Sequence, residues 1–143
     1  MTRVPSEQCL LYENSNGSVP KDLLSLCYEM DDLFLNYPTT RKAKRKLDTK
    51  EYAKLRKLIE RTQKSSLTKL TRIKRFVKLE DHLYLLKSST KSNPRLYFTN
   101  IKEGYMIFLH GTLKKKYSQD PKDTATARSR LEDVCANNRL DRF

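Results

Sequence analysis

LYLLKSS (Leu83–Ser89), PRLYFTNI (Pro94–Ile101) and YMIFLHGTLKKK (Tyr105–Lys116) stand in succession, separated by short polar breaks. Their leucine, isoleucine, tyrosine and phenylalanine content suits a pleated, half-buried surface. The breaks Thr90–Pro94 and Lys102–Gly104 are hairpin-sized, and the second holds the glycine that a tight turn uses. Three strands joined this way predict an antiparallel meander, and this stretch decides the fold class.

Downstream, Asp120 is a natural N-cap before Pro121. Asp123 falls in the first turn, and Ala125, Ala127, Arg128, Leu131 and Val134 continue a final helix. Upstream, Ser65–Leu79 reads two ways: Leu67, Leu70, Ile73 and Phe76 fit a helical period, whereas Arg72–Lys78 alternates like a strand. Asp48, with Glu51 three residues on, opens a helix that runs to about Lys64 and turns Tyr52, Leu55 and Ile59 inward. An earlier helix is expected from an N-cap at Ser18 to about Asn36, ended by Pro38. Its apolar stripe is Leu23, Leu26, Cys27, Met30, Leu33, Phe34 and Tyr37. Gln8–Glu13, closed by the turn residues Asn14–Gly17, reads as a first strand.

The order is strand, two helices, meander, helix, with no alternation that would demand a parallel sheet. It predicts an α+β fold in a single domain over residues 1–143, with the helices on one sheet face. The helical, basic first half covers 18–66 and the sheet-bearing core about 76–135.

Thirty Lys and Arg against 17 Asp and Glu leave a formal charge of +13, with a pI near 9.8. Such an excess repels itself unless a polyanion is near. Nucleic acid is the expected one, since each neutralised phosphate releases condensed counterion. No apolar run approaches membrane-spanning length, and Met1–Leu11 lacks the form of a signal peptide, so a cytoplasmic location with no membrane partner is expected. Cys9, Cys27 and Cys135 have no metal-ligand spacing and read as reduced thiols, and neither metal nor cofactor is expected. The segment Thr39–Leu47 carries Arg41, Lys42, Lys44, Arg45 and Lys46 without an acidic partner, and Lys54, Lys57 and Arg61 decorate the second helix. These are the candidate RNA-docking charges.

Strand alternation puts Arg95, Tyr97 and Thr99 on one face and Leu96 and Phe98 on the other. In the last strand, Tyr105, Ile107 and Leu109 alternate against Met106, Phe108 and His110. Taking the first set as helix-facing leaves His110 on an open face with Arg95. Lys114, Lys115, Lys116 and Tyr117 follow, next to Gly111, and Lys87 stands on the neighbouring strand. This grouping suits metal-independent RNA cleavage, in which a ribose 2′-hydroxyl attacks its own phosphate and needs a base, cationic stabilisation and an acid. Arg95 fits a phosphate clamp and His110 an acid or base. Lys114 and Lys115 fit charge stabilisation or proton transfer, while Lys87, Tyr97, Lys116 and Tyr117 would hold RNA.

The stretches LEDHLYLLKSS, PRLYFTN and YMIFLHGTLKKKYSQDPKDTATARSRLEDV resemble the core of RelE/HigB-like toxins of the phage-derived branch, over about residues 76 to 135. The resemblance implies a compact RelE-like fold and a toxin of a type II toxin-antitoxin system. It also implies an endoribonuclease (mRNA interferase) that cleaves mRNA, commonly on the ribosome, and neutralisation by a cognate antitoxin. The family's strand arginine falls on Arg95, its His-Gly pair on His110 and Gly111, and its lysine pair on Lys114 and Lys115, with Lys87 where arginine is frequent. Thr112 departs from the aromatic usual after His-Gly, and the basic first half is longer than compact members need. The superfamily also holds ParE-type members that inhibit gyrase, so inhibition by occupancy of gyrase or the ribosome is the alternative. A small RNA-binding regulator without toxicity is a third reading.

Overall fold

A computed structural model describes residues 9–30, 34, 47–64, 76–88, 93–100, 106–113 and 121–136. The described elements are β1 (Cys9–Leu11), α1 (Lys21–Glu29), α2 (Thr49–Lys64), β2 (Phe76–Glu80), β3 (Leu83–Lys87), β4 (Pro94–Asn100), β5 (Met106–Leu113) and α3 (Pro121–Ala136). They form an α+β fold around one five-stranded sheet of order β1-β5-β4-β3-β2. β2 to β5 are antiparallel neighbours, while β1 joins the β5 edge in parallel, pairing Cys9–Leu11 with Met106–Phe108.

Local chemistry explains where α1 and α2 begin. The Asp48 carboxylate accepts the Glu51 N–H at 2.8 Å, as the capping pattern predicts, and α2 runs to Lys64. α1 begins later than expected, because Ser18 belongs to the preceding turn. Asn14 Oδ1 accepts the backbone N–H of Asn16 and of Ser18, at 2.9 and 3.0 Å, and Pro20 occupies the capping position. Gly17 sits in that turn at φ 78°, where a side chain would be strained. Leu23, Leu26 and Cys27 are buried, as predicted, and Asp22 lies in the first turn of α1. Leu33, Tyr37, Asp120 and the basic segment 39–46 lie outside the described residues. In the ambiguous stretch, Phe76–Glu80 is a strand, so the meander has four strands; 65–75 lies outside the described residues.

Helices cover both sheet faces, which differs from the one-sided arrangement expected. α1 packs on the face of Leu96, Phe98 and Phe108: a Cβ added to Gly111 would meet Leu26 and Leu96 at 3.5 and 3.6 Å. Phe34 packs edge-on against Phe108, and Phe76, Tyr84 and Phe98 continue the aromatic row. α2 buries Leu55 and Ile59, and Gln63 Nε2 reaches Cys9 Sγ at 3.5 Å. α3 lies across the opposite face, against β3, β4 and β5, burying Ala127, Leu131 and Val134. Among the described residues no helix is long and apolar enough to cross a membrane.

A register shift in β5 decides which residues share a face. Tyr97 pairs with His110 while Phe98 pairs with Phe108, leaving Leu109 as the extra residue of a bulge. Phe108 and His110, two apart, therefore sit on opposite faces. Simple alternation expects them together, with Ile107 opposite; instead Ile107 lies on the face of Thr99 and Tyr97, and Met106 and Phe108 join the core under α1. His110 does share a face with Arg95, as expected, but that face is the one beneath α3.

Candidate functional site

β5 continues past the end of β1, so its outer edge would carry unpaired backbone groups beyond Phe108. The first turn of α1 and the body of α3 supply the partners. The Gly111 N–H donates to Asp22 Oδ2 at 3.2 Å, and Arg130 Nη1 donates to the Leu109 carbonyl at 2.8 Å. Arg130 also grips Asp22 with two parallel bonds, Nη1 to Oδ2 and Nη2 to Oδ1, both 3.0 Å.

His110 sits inside this arrangement. Its Nδ1 is 2.8 Å from Asp22 Oδ2 and its Nε2 is 2.8 Å from Asp123 Oδ1. A neutral imidazole has one N–H, so donating to both carboxylates requires the imidazolium. Burial disfavours that charge, yet the hydrogen bonds and charges of Asp22 and Asp123 outweigh it and raise the pKa of His110 above the ordinary value. Asp22 is affected in the opposite sense. Burial opposes its ionisation, while hydrogen bonds from His110 and Arg130, with their charges, hold it well below the usual carboxylate range. Two carboxylates and two cations close a neutral cluster that ties α1, β5 and α3 together. Both ring nitrogens of His110 are committed within it, and the residue is 8% exposed.

The other predicted site residues are distributed unevenly. Tyr97 is 1% exposed with its ring 5.5 Å from that of His110, so it offers no face to a stacked base. α3 covers the sheet at Tyr97 and His110, which corrects the expectation that this part of the face lies open to RNA. Arg95 is 7% exposed; the register sets it opposite Lys87 on β3 and Thr112 on β5. These three form a row across three strands at one end of the sheet, with Lys87 half-buried. The Thr112 hydroxyl is buried without a hydrogen-bond partner among the described residues. Gly111 faces Leu26 and Leu96 in the core. Lys54, Lys57 and Arg61 are exposed along α2. Lys114, Lys115, Lys116, Tyr117, Arg41, Lys42, Lys44, Arg45 and Lys46 lie outside the described residues.

Sequence reasoning missed Asp22 and Arg130 as members of the cluster and treated Asp123 only as a helix-dipole residue. Asp22 lies 88 residues from His110 in the chain, and no local spacing marks the pair. Arg130 carries a weak signal: it is a cation on a helix otherwise expected to pack against a sheet. Among the described residues no grouping of His, Cys, Asp and Glu is arranged to hold a metal ion. Comparison with family models, with curated proteins and with solved structures returned no match.

Proposed function

We propose that this chain is the toxin of a type II toxin-antitoxin system, a cytoplasmic, metal-independent endoribonuclease that cleaves mRNA on the ribosome and is neutralised by a cognate antitoxin. The observation that carries the reading is the row Lys87–Arg95–Thr112, two cations and an unpartnered hydroxyl on adjacent strands, from which the chain runs directly into Lys114–Lys116. Arg95 is buried and Lys87 half-buried, and cations so placed attract a phosphate that reaches them more strongly than they would in water. The residue types and the +13 charge suit a phosphodiester substrate.

In the proposed reaction the ribose O2′ attacks the adjacent phosphorus and the P–O5′ bond breaks, leaving a 2′,3′-cyclic phosphate and a 5′-hydroxyl. Arg95 clamps the phosphate and Lys87 adds charge. The proton leaves O2′ to a base and another reaches O5′ from an acid, and Lys114 and Lys115 are the candidates. His110 has a different part here, holding β5 in register beside the row, because both its nitrogens are bonded to carboxylates.

That same commitment of His110 favours a second reading, a growth inhibitor that occupies gyrase or a ribosomal site without chemistry. Transcript ends mapped after incubation with translating ribosomes separate the two. Cleavage with 5′-hydroxyl ends, reduced on the order of a hundredfold or more in Arg95→Ala, is the expected result. Intact mRNA with wild type and variant alike, while growth inhibition persists, would leave occupancy as the function.

A further inference from the structure

Among the described residues, the outer face of α2 carries a row of cations outside the sheet. Lys50, Lys54, Lys57 and Arg61 recur at steps of four, three and four residues, so they share one side of the helix, and all four are exposed. From Lys50 to Arg61 the row is about 16 Å long, with neighbouring positions about 5–6 Å apart. The two acids of α2 lie off the row. Glu51 is buried, and Glu60 is paired with Arg56 at 3.3 Å. Asp48 is occupied in capping the helix.

We infer that this face is a docking surface for the sugar-phosphate backbone of double-stranded RNA, built from other residues than the Arg95 row. The inference rests on the proposed reading only in taking RNA as the target. Single-strand binders hold bases on exposed aromatic rings, and this row has none; Tyr52, the one aromatic residue of α2, accepts a hydrogen bond from Arg56 at 3.0 Å. A helix that docks in a protein groove presents apolar anchors, and a membrane-surface helix presents a band of them. Here Leu55 and Ile59 are buried, and the exposed non-charged residue between the lysines is Ala53. What remains is cationic and featureless, which suits a duplex recognised by shape and charge without base readout.

The test titrates the full chain with a fluorescein-labelled blunt RNA duplex of arbitrary sequence, over a KCl series. Wild type should bind duplexes of unrelated sequence equally. Lys54→Ala/Lys57→Ala should lower the slope of log K against log salt by about two, one for each lost phosphate contact. Lys54→Arg/Lys57→Arg should keep the wild-type slope. Alanine favours an exposed helix, and circular dichroism checks that the variant folds. The inference is overturned if wild type ignores the duplex, if the slope is unchanged in the alanine variant, if the single strand binds more tightly than the duplex, or if polyglutamate is preferred to RNA. Loss of the slope effect with mRNA cleavage intact overturns the docking surface alone. Intact mRNA with the slope effect present overturns the nuclease alone.

Discussion

Deprotonating His110 would strip one of its two carboxylate bonds and leave Asp22 and Asp123 sharing a partly buried site with less countercharge. The direction of the resulting pH dependence follows from linkage. His110 has a raised folded pKa, so its contribution is complete below the ordinary histidine value of 6.5 and is lost as pH rises through the folded value. Asp22 is depressed, so its contribution is complete above 3.8 and is lost as pH falls through the folded value. Stability in urea should therefore peak between these two pH values and decline on both sides. His110→Gln should flatten the alkaline decline and Asp22→Asn the acid one; an alkaline limb that is identical in His110→Gln would remove His110 as its cause. His110→Ala, which leaves two carboxylates without their shared cation, should cost on the order of 3 kcal/mol. At this scale the sequence singled out His110 as an acid or base on an open face, whereas it lies between Asp22 and Asp123 beneath α3. Alternation shows only the side of a strand to which a residue points, and Asp22 and Arg130 reach His110 from helices distant in sequence.

Among the elements, β5 carries most of what was hard to read. A bulge adds one residue and reverses the faces beyond it, and no residue type in MIFLHGTL announces it. Once Leu109 is taken up in the bulge, Gly111 falls on the core face opposite Leu96. Its added Cβ would make ordinary contacts with Leu26 and Leu96, and the residue needs no left-handed backbone. Gly111→Ala should therefore be neutral or stabilising by up to about 1 kcal/mol in chemical denaturation. A loss of several kcal/mol would mean that α1 packs more tightly on β5 than these distances allow. α2, by contrast, was legible from end to end. Asp48 caps it, Leu55 and Ile59 turn inward, and the lysines turn outward, because an amphipathic helix with a good cap records its own environment in its period. β2 was half legible, since Phe76–Glu80 is too short for its period to exclude a helix.

At the scale of the molecule, one core among the described residues holds both helical layers to the sheet, and two of the three cysteines lie in it. Burial pushes the Cys9 thiol up to about 12, against a small opposing pull from Arg56, and burial alone pushes Cys27 to about 12. Cys135 is exposed on α3. In native protein near neutral pH, Cys135 should react promptly with a thiol reagent, while Cys9 and Cys27 should react slowly and at a common rate that follows denaturant. Much faster reaction at Cys9 would show that β1 opens before the rest. The α+β class, the meander, the capped second helix and the excess of positive charge were all determined by the sequence, because hydrophobic period, turn residues and charge are local or additive properties. Only the tertiary structure decided that β1 joins β5 in parallel, that α3 closes the face expected to be open, and that His110 is held between two carboxylates. Each of these depends on which distant segments meet across the sheet, and such meetings are selected by the packing of the whole core, leaving no local pattern in the chain.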